Sequence, residues 1–162
     1  MSSFDEEKFN LAKEAAYNYF QNNKKINCPA IGEIRLNSDG FNHLIYKDKR
    51  HKQKRDWKNS IKRFHLTGYI KRILNGMAFY QEYSEWHEPI QITHHGKNET
   101  VNKLVAYFGF IAVIDDKIRI KIIIRKIGNG NPHLWSIIPI WKSKYYKDIK
   151  IVDISTGDLE ID

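Results

Sequence analysis

"IRIKIIIRKI", Ile118 to Ile127, is the stretch on which the reading of the fold turns. Side chains of a strand point alternately to its two faces. Ile118, Ile120, Ile122 and Ile124 therefore share one face, and Arg119, Lys121, Ile123 and Arg125 the other. The isoleucine face needs a covering layer, and the N-terminal part of the chain is expected to supply it as helices. The face with Arg119, Lys121 and Arg125 is expected to open to solvent or to a ligand.

The neighbouring segments read as further strands. "KLVAYFGFIAVI" (103–114) precedes it across "DDK", and "HLWSIIPIW" (133–141) follows across "GNGNP". Connections this short imply antiparallel neighbours. "AFYQEYSEW" (78–86) adds a fourth strand, and "HEPIQITHHGKNET" (87–100) reads as an irregular loop. On the face parity of the last strand, His133, Trp135 and Ile137 oppose Leu134, Ser136 and Ile138.

Upstream the period changes. Phe9, Ala12, Ala16, Tyr19 and Phe20 form a helical stripe over 5–22, with Ser2 or Ser3 as the cap. "IGEIRL" (31–36) alternates as a short strand, "NSDG" (37–40) reads as a turn, and "FNHLIYK" as a second short strand or an extended approach. Asp56 is placed to cap a helix carrying Trp57, Ile61 and Phe64, with Gly68 interrupting it before a second short helix at 69–74. The fold class is therefore α+β: N-terminal helices packed on a meander of about four antiparallel strands. One domain spans 1–162, with the first helix in 1–28, a core in 29–142, and an edge strand or acidic tail in 143–162.

The chain has 162 residues and a net charge of +8. Between Lys47 and Arg72 lie eleven Lys/Arg against Asp48 and Asp56, whereas the remainder carries 16 basic and 17 acidic residues. All excess positive charge thus occupies one window, the distribution that suits a polyanion, and nucleic acid first. Lys47, Lys49, Arg50, Lys52, Lys54 and Arg55 are the expected phosphate ligands there, joined by Arg119 and Lys121 from the strand. The single cysteine, Cys28, excludes an internal disulfide framework and suits a reducing compartment. No apolar run reaches transmembrane length, so no membrane association is expected. The expected location is the cytoplasm, of the producing cell or of a cell into which the chain is delivered.

The seven histidines show no metal-ligand spacing, and the chain has no P-loop, nucleophile elbow, kinase or dinucleotide motif. No metal and no cofactor are called for. RNA can be cut without a metal, because its own 2′-hydroxyl is the nucleophile. The protein then supplies a proton acceptor, a proton donor and cations for the phosphate. Histidine and arginine suit those roles. His43 lies just before the basic window and His51 within it.

"NHLIYKDKRHKQKR" leading into a helix, followed by a meander containing "IIIRKIGNGNPHLWSIIP", resembles the Barnase–EndoU–Colicin–RelE superfamily in its phage-associated and polymorphic-toxin branches. The resemblance covers roughly residues 30–142. It implies a metal-independent ribonuclease, of the kind whose members attack tRNA or mRNA and are held by an acidic immunity protein or antitoxin. It further implies that His43 or His51 is the acid/base group, that Arg125 stabilises the phosphate, and that Ser136 orients or hydrogen-bonds it. The competing expectations are a nucleic-acid-binding module without catalysis and a protein-interaction domain with a basic face.

Overall fold

The computed structural model describes residues 2–47, 52–115 and 118–142. The first helix, α1 (Ser3–Asn22), begins at a capping box. Ser2 accepts from the Asp5 backbone N–H, and the Asp5 carboxylate accepts from the Ser2 backbone N–H, both at 3.2 Å. A hairpin of β1 (Lys25–Cys28) and β2 (Gly32–Arg35) follows. β1 falls where only a helix stop was expected; Ile26 and Cys28 alternate inward on it.

The segment expected to be a turn and a second strand is instead a helix, α2 (Ser38–Ile45). The Asn37 side chain caps it by accepting from the Gly40 N–H at 3.1 Å. Leu44 and Ile45 then bury the apolar stripe begun by Phe41. α3 (Trp57–Leu66) starts after Asp56 as expected, although the Asp56 side chain makes no capping bond. A 3₁₀ turn (Thr67–Tyr69) at Gly68 leads into α4 (Ile70–Asn75).

The remaining strands are β3 (Glu82–His94), β4 (Lys97–Ile114), β5 (Ile118–Ile127) and β6 (His133–Lys142). They form the expected antiparallel meander, but within a larger sheet of order β1-β2-β6-β5-β4-β3. Among the described residues the sheet has six strands and is mixed, because β2 joins β6 in parallel at Arg35 and His133. The four-stranded antiparallel expectation thus identified its larger part. The stretch 87–100, expected to be a loop, is the end of a long hairpin. His95 and Gly96 both take positive φ (47° and 75°), the conformation that closes a tight two-residue turn. Pro89 is tolerated in β3 because, among the described residues, that strand is the sheet edge.

The helices cover one face of the sheet. Ile120, Ile122 and Ile124 are fully buried against Phe20, Leu44, Phe64, Ile70 and Leu74, as the alternation of β5 required. The opposite face holds a second cluster of Val105, Tyr107, Ile123, Trp135 and Ile138.

Two features fix β6 relative to the helices. Its pairing with β5 shifts by one residue, so that Leu134 opposes Ile124 while Ser136 opposes Ile123, and Trp135 is the extra residue of a bulge. Simple alternation could not foresee that Trp135 and Ser136 would sit together opposite Ile123. α2 then lies hard against this strand. A Cβ on Gly40 would stand 2.1 Å from the Leu134 carbonyl oxygen, so only glycine permits the approach.

Candidate active site

The basic window does not run straight into a helix. Tyr46 bridges Lys54, the Lys47 N–H donates to the Gln53 carbonyl at 2.8 Å, and the Arg55 N–H donates to the Ile45 carbonyl at 2.8 Å. Residues 53–55 are thus held beside the end of α2. Arg55 consequently reaches His43. Its Nε donates to the His43 carbonyl, and its Nη2 lies against the His43 Nε2, each at 3.1 Å. A guanidinium only donates, so the His43 Nε2 is the acceptor in that contact and the ring proton belongs on Nδ1.

His43 is 5 % exposed and stacks on Trp135 at 4.1 Å between ring centroids with planes 20° apart. The Arg125 guanidinium also packs on Trp135, 4.5 Å from its centroid. Arg125 donates to Glu88 at 2.9 Å, and the other Glu88 oxygen accepts from the Tyr107 hydroxyl. Tyr107 in turn stacks on Trp86 at 4.8 Å. Burial and the Glu88 carboxylate push the Tyr107 hydroxyl well above its ordinary range, so it stays a donor. From α3, Arg63 donates to the Ser136 hydroxyl, and both are buried.

His133, in register with Arg125, is held neutral. Burial first, and the Arg125 charge second, lower its pKa to about 4.

The residues singled out by sequence therefore divide. His43, Arg125 and Ser136 are brought to one region of the sheet around Trp135, with Arg55 beside His43. His51, Lys49 and Arg50 lie outside the described residues. Lys47, Lys52, Lys54 and Arg119 are exposed. The expectation of an open Arg119/Lys121/Arg125 face is corrected: Lys121 is 3 % and Arg125 4 % exposed, and Lys121 pairs with Glu82 at 2.8 Å. β3 explains this. Its long pairing with β4 carries Glu82 and Glu88 onto the same face as the β5 cations, and cations buried this deeply need such partners. Lys121 is therefore not an open phosphate ligand.

Sequence reasoning missed Arg63, counted only as part of the basic window, and also Glu82, Glu88 and Tyr107. Reading 82–94 as one strand would have aligned Glu82, Trp86 and Glu88 on a single face.

Among the described residues, no group of three His, Cys, Asp or Glu is arranged to hold a metal ion, and no helix is long and apolar enough to cross a membrane. Comparison with models of protein families, with curated proteins and with solved structures found no match to this chain.

Proposed function

We propose that the chain is a metal-independent endoribonuclease of the Barnase–EndoU–Colicin–RelE type. The observation that carries the reading is that an imidazole stacked on Trp135 and the hydroxyl of the following residue, Ser136, are each held by an arginine. His43 on α2 contacts Arg55, and Ser136 on β6 accepts from Arg63. These four residues come from separate parts of the chain, and their types are those that phosphodiester transfer requires.

In this reading His43 takes the proton of the ribose 2′-hydroxyl as that oxygen attacks phosphorus. Arg55 and Arg63 exchange their present partners for the phosphate oxygens, where paired N–H donors match the developing charge. Ser136 hydrogen-bonds the phosphate, and Arg125 adds its charge from the far side of Trp135. The 5′-oxygen leaves with a proton, which His51 is suited by type to give. The products are a 2′,3′-cyclic phosphate and a 5′-hydroxyl. Lys47, Lys52, Lys54 and Arg119 hold the flanking phosphates. An acidic protein that inhibits the enzyme would be drawn to the same cations.

A second reading has one observation in its favour. His43, Arg125 and Ser136 are all buried, as structural residues of a non-catalytic RNA-binding module would be. Incubation of the purified chain with total RNA in excess EDTA separates the two. Discrete fragments ending in a cyclic phosphate, lost in His43→Ala and Arg63→Ala proteins that remain folded, are expected of the enzyme. RNA that is shifted on a gel but left intact supports the binding module instead.

A further inference from the structure

The outer side of α1 carries a second apolar stripe, independent of the one that faces the core. Phe4 is 64 % and Leu11 61 % exposed, and seven residues apart they lie on one line of the helix. Glu7 and Glu14 follow them at i+3, so exposed carboxylates border the stripe along one flank. On the other flank, between α1 and α3, runs an open groove of about 870 Å³. Ala12, Ala15 and Gly68 keep its floor low, and Leu11, Trp57 and Ile61 line it. Its charged lining is cationic, from Lys8, Lys58 and Lys62, and His65 adds an imidazole beside them.

Ridge and groove are complementary to each other. The ridge carries Glu7 and Glu14 on its outer flank and, on the flank shared with the groove, Lys8, whose Nζ lies over the Phe4 ring at 4.9 Å; the groove is apolar with basic neighbours. The spacing also agrees. Glu7 and Glu14 are seven residues apart, as are Lys58 and His65, which is about 10.5 Å along each helix axis. Lys62 falls between the latter two. A ridge cannot enter the groove beside it on the same molecule, but it can enter that of another.

We propose that the chain forms a two-fold symmetric dimer in which the Phe4/Leu11 ridge of each copy's α1 seats in the α1/α3 groove of the other. Glu7 and Glu14 then meet Lys58, Lys62 and His65 across the interface, twice over. Leu11 belongs to both ridge and groove, so it lies near the axis and meets its own counterpart, as self-complementary interfaces require. The four helices pack as a small bundle on the side of α1 and α3 that the sheet leaves uncovered.

Multi-angle light scattering over a concentration series tests this with the chain as it stands. The mass is expected to rise from 19.2 kDa towards twice that value. Leu11→Asp, a change at an exposed position, is expected to remain at the monomer mass with an unchanged circular dichroism spectrum. Two charge-reversed proteins, Glu7→Lys/Glu14→Lys and Lys58→Glu/Lys62→Glu, are each expected to stay monomeric alone and to associate when mixed. In that pairing every ridge again faces a groove of opposite sign. A wild-type chain that keeps the monomer mass at all concentrations overturns the proposal. So does a Leu11→Asp protein that dimerises like wild type, or a mixture of the two charge-reversed proteins that does not associate.

Discussion

Glu88 on β3 and Arg125 on β5 are joined at 2.9 Å across the intervening strand β4, with Tyr107 of that strand donating to the same carboxylate. The pair is buried, and Arg125 in turn packs on the indole that stacks on His43. The far edge of the sheet is thereby tied to the candidate site.

Removing one partner of a buried pair leaves an uncompensated charge, which costs about 3–5 kcal/mol. Glu88→Ala is expected to lose stability of that order in urea unfolding. A Glu88→Leu/Arg125→Leu protein should lose much less, because no charge is stranded. Equal losses in the two proteins would show that packing, not charge, accounts for the effect.

Gly40 and Gly68 make a contrasting pair. A methyl group at Gly40 would collide with the Leu134 backbone, whereas one at Gly68 meets nothing within 4 Å. Gly40→Ala is expected to destabilise by about 1–3 kcal/mol, the usual cost of overpacking. Gly68→Ala is expected to stabilise by about 0.4–1 kcal/mol by restricting the unfolded chain. Thermal melts of the two proteins should move in opposite directions.

His133 supplies a pH dependence of definite sign. Its folded pKa, about 4, lies below the ordinary value of 6.5. Above that ordinary value both folded and unfolded states are neutral at this site, and its contribution to stability is complete. As pH falls from there towards 4, the unfolded chain takes up a proton that the folded one refuses, and stability declines. The loss approaches about 3 kcal/mol at 1.36 kcal/mol per pKa unit. His133→Gln should flatten the stability profile across that window. An equally steep decline in the variant would assign the effect to other groups.

How much of this was legible beforehand depends on period and distance. The isoleucines of β5 announced their buried face, since strict alternation has one structural meaning. α2 was missed because its single capping asparagine and short apolar stripe also fit a turn followed by a strand. The β3 hairpin was missed because Pro89 and the polar run around His94 argue against a strand, and an edge position overrides that argument. The fate of Lys121 and Arg125 was not readable at all. Whether a cation on a strand is exposed depends on what a neighbouring strand carries at the matching register, and Glu82 and Glu88 lie some forty residues away. Of the candidate site, His43, Arg125 and Ser136 were identifiable by type and order. That His43 and Arg125 both pack on Trp135, the residue before Ser136, depended on a bulge and on a helix pressed against β6.

Salt dependence tests the exposed lysines separately from the chemistry. Each lost phosphate contact should flatten the slope of log affinity against log salt by about 0.7 for a single-stranded RNA. Lys52→Ala/Lys54→Ala is therefore expected to reduce the slope by roughly twice that in anisotropy titrations. An unchanged slope would remove these lysines from the proposed RNA-binding surface.

The pinned base of the 46–55 excursion has a consequence for how such a protein can vary. Tyr46 and Lys54, Lys47 and Gln53, and Ile45 and Arg55 are fastened to one another before the chain reaches the residues between them. The Arg55–His43 contact is set at that base. In the proposed function, Lys52 and Lys54 can therefore change charge while the backbone pairing that holds the imidazole and its guanidinium stays in place. On that reading, the groups that would hold a polyanion and those that would move a proton vary independently.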